Sequence, residues 1–325
     1  MSTSSELARI AALRARFGQP AAGAGVRVGI GDDAAVLEML GGSDPRLLVW
    51  TVDAQVEGTH FRSDWASWED IGWRSLMAAA SDLAAMGAEP TAALSALVLA
   101  PAVDDEALDA LARGQAAAAA AVGAAVVGGN LARGTETSIT TTLLGRAALP
   151  VLRSGARPGD ELWLAGPVGL AGVGLGLLVK KVQSARSPGA EACLHAWRRP
   201  VARIEDGCAL AGVAHAAIDV SDGLAHDAWQ LAEASGVRLV LDLAAVLRAG
   251  GDALAAGAAA LGDDPAEHAL HGGEDYALLV ASPRALPGFA RIGAVEVYDD
   301  GARVRMRTTH GTVVDVEPRG FDHFT

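Results

Sequence analysis

Short apolar runs alternate with longer stretches of helical spacing along most of the chain. Residues 47–53 hold Leu47, Leu48, Val49, Trp50 and Val52 in one run, which predicts a strand. Over 68–86, Leu76, Ala79, Ala80, Leu83 and Met86 share one helical face, and Gly87 follows as a stop. Residues 92–99 read as a strand and 104–122 as a helix opened by acidic residues. Residues 125–127 read as a strand running into Gly128-Gly129-Asn130, and 137–144 alternate threonine with apolar residues, a further strand. The polar, turn-rich segment Arg153-Ser154-Gly155-Ala156-Arg157-Pro158-Gly159-Asp160 is the best place for a boundary. Beyond it come a strand at 161–165, a glycine-rich stretch at 166–176 opening a helix, helices at 204–213 and 223–235, and strands at 238–242 and 276–280. Strands and helices alternate in both halves, so an α/β or α+β fold with two layered domains is expected, divided as 1–150 and 151–325.

Composition narrows the function classes. The chain has 325 residues, 51% of them hydrophobic and only 4% aromatic, so small-residue, tightly packed cores are expected. The formal net charge is −13 and lysine occurs only at Lys180 and Lys181, which leaves no basic stripe for nucleic acid. Phosphorylated small molecules stay open if cations supply the missing positive charge. Cys193 and Cys208 are too few for a disulfide framework and form no paired-cysteine metal motif, which points to reduced thiols in the cytoplasm. Residues 1–16 lack a basic stretch followed by an apolar core, and no run of about 18 strongly apolar residues predicts a membrane span.

Five acidic motifs then stand out where apolar stretches break. They are Gly31-Asp32-Asp33, Thr51-Val52-Asp53, Ser81-Asp82-Leu83, Asp219-Val220-Ser221-Asp222-Gly223 and Gly272-Gly273-Glu274-Asp275-Tyr276. Each has an ordinary reading. Gly31 to Asp33 can be a solvated turn, Asp82 a helix-end surface residue, and Ser221 or Asp222 a helix cap. A cap accounts for one such residue, not for three. Asp82 sits within a mostly apolar helix, where a lone carboxylate is costly to bury. Carboxylates gathered in one site repel unless cations hold them, and hard divalent ions, chiefly Mg²⁺, take oxygen ligands and bind phosphates. Asp53 is expected at the end of its strand, a common place for functional groups in open sheets. His60 is singled out because it follows Asp53 so closely. Phe321, in a tail of residues 321–324, can stack on a ring or simply dock. No P-loop segment and no protein-kinase motif set is present. The stretch 166–176 is read as a turn with close helix packing rather than a phosphate contact.

Taken in order, Gly29-Ile30-Gly31-Asp32-Asp33, residues 57–61, Ser81 to Ala88, Gly128-Gly129, Arg153 to Ala156, 218–224, 272–276 and 321–324 resemble thiamine-monophosphate kinase. The resemblance implies a fold shared with aminoimidazole ribonucleotide synthetase and selenophosphate synthetase. In that group the N-terminal domain dimerises and the C-terminal domain closes an ATP site. It implies Asp32, Asp53, Asp82, Asp219 and Asp222 as metal ligands with Thr51 beside them. It also implies Gly129, Arg153 and Ser221 as nucleotide contacts, and His60, Glu274 and Phe321 as contacts to thiamine monophosphate. Two departures matter. Asn130 stands where the family usually has an aspartate, so it offers one carbonyl oxygen and one negative charge fewer. Val52 replaces a common hydroxyl residue. The implied reaction is Mg²⁺-dependent, direct in-line transfer of a phosphoryl group from ATP to thiamine monophosphate, with Arg153 acting electrostatically and no nucleophile or base. Another ATP-dependent enzyme of the same fold group, or a nucleotide-binding protein with a drifted site, remains an alternative.

Overall fold

The computed structural model describes residues 8, 10, 25–38, 44–182 and 187–323; Phe324 and most of 1–16 lie outside the described residues. Strands β1 (Val26–Val28), β2 (Ala35–Leu37), β3 (Leu47–Val56), β4 (Glu89–Leu99), β5 (Ala125–Arg133) and β6 (Ser138–Ala147) form a six-stranded sheet in the order β1-β2-β3-β6-β4-β5. Its pairs are antiparallel except β4 with β5. Two helices join the strands, α1 (Trp68–Ala85) and α2 (Asp105–Ala121). The start of α1 follows from Ser67, whose hydroxyl accepts from Asp70 N at 3.1 Å. Its end follows from Gly87, which takes the left-handed conformation at φ 64° that lets the chain leave the helix.

A second, seven-stranded sheet has the order β13-β12-β9-β11-β7-β10-β8. These strands are β7 (Glu161–Ala165), β8 (Ala216–Val220), β9 (Val237–Asp242), β10 (Ala277–Ser282), β11 (Ala290–Val297), β12 (Val304–Arg307) and β13 (Val313–Asp315). Only β9 and β12 pair in parallel. One face carries a core of Leu162, Leu164, Ile218, Val220, Leu239 and Leu279. The helices over it are α3 (Leu170–Val179), α4 (Pro188–Arg198), α6 (Leu224–Ser235), α7 (Leu243–Leu261) and α8 (Pro265–His271). By length and composition α7 is apolar enough to cross a membrane, with mean hydropathy 1.3. It breaks at Gly251, however, and lays Val246, Leu254 and Ala258 into this core.

The two sheets meet on α1. Leu76, Met77, Ala79, Ala80 and Leu83 pack against Val49 and Leu143 of the first sheet. Ala84 and Ala85 pack against Ala217, Leu278 and Val280 of the second. Thirteen of the 18 residues of α1 are buried, which explains why its sequence is small-residue almost all round. Glycines set the closest approaches: a Cβ on Gly114 of α2 would lie 1.9 Å from the Glu69 carbonyl oxygen of α1.

Several elements differ in length from their local pattern. The strand expected at 125–127 continues to Arg133, through Gly128-Gly129-Asn130, because pairing with β4 holds it extended. The run at 47–53 extends to Val56, so Asp53 lies inside β3 rather than at its end. The helix expected over 204–213 is a single short turn, α5 (Ile204–Cys208), followed by irregular backbone. Helices α4, α7 and α8, strands β11–β13 and the pair β1–β2 were not legible as elements.

Replacing Gly114 with Ala improves intrinsic helix propensity by about 1 kcal/mol. Its methyl would nevertheless run into the backbone of α1, so a net loss of about 1–3 kcal/mol is expected. Urea denaturation checks the sign; an unchanged or raised midpoint would contradict this close packing.

Candidate active site

Alternation along β3 aims Val49, Thr51, Asp53 and Gln55 inward and leaves Trp50 and Val52 outward. Helix α1 crosses that inner face and brings Ser81 and Asp82 to it, while β8 of the second sheet delivers Asp219 from the other side. The turn before β2 adds Asp32 and Asp33. Carboxylate oxygens of Asp33, Asp82 and Asp219 all lie within 4.8 Å of one another. Thr51 Oγ1 donates to Asp82 Oδ2, Ser81 Oγ to Asp219 Oδ2 at 2.7 Å, and Gln55 Nε2 to Asp53 Oδ1 at 2.9 Å. Arg153 forms a two-pronged contact with Asp33, its Nε at 2.9 Å and its Nη2 also within reach, while Nη1 donates to Gln230. Its backbone N–H donates to both oxygens of Asp32 at 3.3 Å.

Three like charges this close are unfavourable when buried. Burial, reinforced by the neighbouring carboxylates, pushes Asp82 and Asp219 well above the usual carboxylate range. Asp33 is raised by burial against the opposing pull of Arg153. Asp32 is pushed up to about 6 by burial and by Asp33. Burial works against the charge on Arg153, yet the surrounding acids raise its pKa further. Asp33 Oδ2 is buried with no hydrogen-bond partner among the described residues. An all-oxygen donor set with an orphaned carboxylate oxygen suits a hard cation.

A second group adjoins the first. Oxygen and ring-nitrogen atoms of Asp222, His226 and Asp227 also come within 4.8 Å of one another. Asp227 Oδ2 accepts from the backbone N–H groups of Ser221, Asp222 and Gly223, each at 3.1 Å, and so shapes the loop that carries the acids. The tail returns here: Phe321 N donates to the Asp222 carbonyl at 3.1 Å. The Phe321 and His323 rings lie 4.7 Å apart and the His60 and His323 rings 4.8 Å apart. His60 Nδ1 accepts from Val56 N at 3.0 Å, and burial lowers its pKa.

Glu274 pairs with Arg74, a residue that no motif marked, and Tyr276 Oη donates to the same carboxylate oxygen. Asp275, next to it, accepts from Gly169 N at 2.5 Å and Ala171 N at 3.0 Å, and burial pushes it up to about 7. The first turn of α3 is therefore filled by the chain's own carboxylate, in agreement with reading 166–176 as packing rather than a phosphate site.

Gly129 and Asn130 stand apart. On edge strand β5, Gly129 aligns with Ser95, Thr141 and Asp53, and Asn130 with Ala96, Thr140 and Ala54. Three strand spacings, roughly 14 Å, separate them from β3. A Cβ at Gly129 would come within 1.7 Å of the Ser95 carbonyl oxygen, so packing alone requires glycine there. Asn130 and Val52 lie on the outward side of the sheet, away from the acidic cluster. Asp33, Ser81, Asp227 and Arg74 were missed as site residues. Arg74 carried the same signal as Asp82, a charge inside an apolar helix.

The two halves match two family models, the AIR synthase related protein N-terminal domain over residues 31–147 and the corresponding C-terminal domain over 157–285. Thiamine-monophosphate kinase of Mycobacterium tuberculosis (strain CDC 1551 / Oshkosh) is 39% identical over 286 residues, 86% of this chain and 81% of the relative. The chain belongs to the thiamine-monophosphate kinase family. The enzyme of that name from Salmonella typhimurium is 33% identical, with 92% of each chain covered. A solved structure of AaThiL complexed with AMPPCP and TMP superposes with a TM-score of 0.87 at 31% identity, covering 98% of this chain and 97% of that one. Membership in the thiamine-monophosphate kinase family thus extends over both sheets and the helix between them.

A carboxylate raised in the folded state holds more protons folded than unfolded, so stability falls as pH climbs from about 4 through about 6, the value for Asp32. Without divalent cation, Asp219→Asn should therefore raise the melting temperature at pH 8 and change it less at pH 5. In the unsubstituted protein, MgCl₂ should raise it more at pH 8 than at pH 5. Thermal shift with EDTA or MgCl₂ checks both signs.

Proposed function

We propose that this chain phosphorylates thiamine monophosphate with ATP, giving thiamine diphosphate. One observation carries the reading: Asp33, Asp82 and Asp219 arrive from a turn, a helix and a strand and put their carboxylate oxygens within 4.8 Å of one another. Family membership gives that cluster its chemistry, and the relative complexed with AMPPCP and TMP supports the pair of substrates. The oxygen-only donor set and the orphaned Asp33 Oδ2 fit Mg²⁺. Asp32, Asp33, Asp53, Asp82, Asp219 and Asp222, with the Thr51 hydroxyl, are the groups that would hold it. When bound, Mg²⁺ neutralises phosphate oxygens that would otherwise face a wall of carboxylates.

The remaining work belongs to positioning. The acceptor phosphate, with a second pKa of about 6, is largely ionised at neutral pH and needs no general base. Arg153, fixed between Asp33 and Gln230, supplies a preorganised positive charge between two anions that repel. His60, Phe321 and Glu274 form the pocket for the organic part of the acceptor. Ser221 and Gly129 contact the nucleotide, Gly129 from edge strand β5, whereas Asn130, on the outward side of that strand, does not face the cluster that holds the phosphates. Transfer is direct and in line, with alignment and electrostatics as the source of rate.

The division into units of 1–150 and 151–325 is supported by the turn-rich 153–160 segment and by family models ending at 147 and starting at 157. The working form is a homodimer. Trp50, Val52 and Leu94 leave one sheet face 51, 62 and 47% exposed, beside an edge strand that bares Val127 and Leu131. A second copy would cover both. Free Cys193 and Cys208 agree with a reducing cytoplasm.

A coupled assay for thiamine diphosphate, with ATP and thiamine monophosphate, is the direct test. Asp82→Asn or Asp219→Asn should cut kcat at least about a hundredfold, as expected for losing several kcal/mol of charge stabilisation. Activity retained in both variants would remove the cluster from the mechanism. Val52→Asp should convert a dimer to monomer in sedimentation velocity; a monomer before substitution would refute the interface.

A further inference from the structure

Arg74 is the most completely enclosed cation among the described residues that adjoin the pocket, and nothing in the reaction as described uses it. Its side chain is 2% exposed. The guanidinium lies 4.3 Å from the centroid of the Trp197 ring, and Nη1 donates to the Trp197 carbonyl. Nη2 donates to the His60 carbonyl at 3.3 Å and pairs with Glu274 Oε2. One side chain on α1 thus ties together the end of α4, the His60 loop and the loop before β10.

Glu274 is held in an unusual way. Its backbone is left-handed at φ 68°, as is that of Tyr276 at φ 50°, a conformation that non-glycine residues adopt only when surroundings enforce it. Glu274 N donates to Ser221 O at 2.7 Å and Tyr276 N to Val220 O at 2.8 Å, which fastens the strained loop to the acidic one. Both side-chain donors, from Arg74 and Tyr276, end on Oε2. Oε1 accepts no hydrogen bond among the described residues, and the Glu274 side chain is 23% exposed.

We propose that Arg74 is a positioning residue for the acceptor substrate: it fixes Glu274 through Oε2 and the His60 loop through its carbonyl, so that Glu274 Oε1 and the His60 ring face the bound molecule together. The inference rests on assigning His60, Glu274 and Phe321 to the thiamine monophosphate pocket. A carboxylate with one oxygen fixed and the other free suits a cationic, nitrogen-rich ring system, which offers positive charge and an N–H donor. The nucleotide, held at the carboxylate cluster, has no part in this contact. Arg74 therefore governs one substrate and not the other. The fork geometry is needed as well as the charge, because three acceptors in different directions are served by one planar group.

Steady-state kinetics on the full chain, each substrate varied with the other saturating, separates these roles. Arg74→Met, which keeps bulk and removes charge and donors, should raise KM for thiamine monophosphate at least about tenfold, or ~1.4 kcal/mol, with KM for ATP within about twofold. Arg74→Lys should recover part of that loss. Tyr276→Phe, which removes only the second donor to Oε2, should raise the same KM about two- to threefold and serves if Arg74→Met does not fold. Combining Arg74→Met with Glu274→Gln should cost no more than the worse single change, because both break one contact. Equal rises in both KM values, or additive losses in the double variant, would overturn the proposal. Absence of turnover in the unsubstituted chain would instead overturn the assignment of the reaction.

Discussion

The structure depends on a helix that has no solvent side. Helix α1 lies between two sheets, and the residues that let the sheets close on it are small: Gly72, Ala78, Ala79, Ala80, Ala84 and Ala85 are all buried. A polar side chain on such a helix has nowhere to point but into protein, so each must have a partner or a ligand. Arg74, Ser75, Ser81 and Asp82 satisfy that demand against the His60 loop, Gln115, Asp219 and Thr51. Packing and chemistry are therefore not separable here. The same close approach that fills the core brings Asp82 of the helix and Asp33 of the turn before β2 against Asp219 of the second sheet.

That arrangement carries an electrostatic load that the rest of the site answers locally. Arg153 opposes Asp33, hydroxyls oppose Asp82 and Asp219, and three backbone amides oppose Asp227. None of these removes the cost of enclosing the acids: burial raises all three, and neighbouring carboxylates add to the rise at Asp82 and Asp219. A site stabilised fully without its ligand would have less to gain on binding. Here the deficit is of one sign and is confined to the place where both sheets and α1 converge.

Much of this was legible in the sequence, for stated reasons. Helices with a clear apolar face and a glycine stop, such as 68–86, and strands with alternating threonines, such as 137–144, carry their periodicity locally. The acidic motifs announced themselves by standing at breaks in apolar runs. What was not legible depended on pairing between distant segments. Register with β4 keeps Gly128-Gly129-Asn130 extended, and the reach of β3 past Asp53 comes from its pairing with β6 down to Ser138. Asp33 was passed over because the resemblance named only Asp32, and adjacent residues in a turn give no hint of which faces inward. Arg74 was readable in principle, since the cost of burying a lone charge applies to it as much as to Asp82.

The crowding of Asp33, Asp82 and Asp219 also has a calorimetric consequence. Were magnesium to enter the cluster as proposed, it would displace to the buffer whatever protons these carboxyls, raised by burial, hold at the working pH. The heat of such a titration would vary with the ionisation enthalpy of the buffer chosen, and the slope of that dependence would count the protons released.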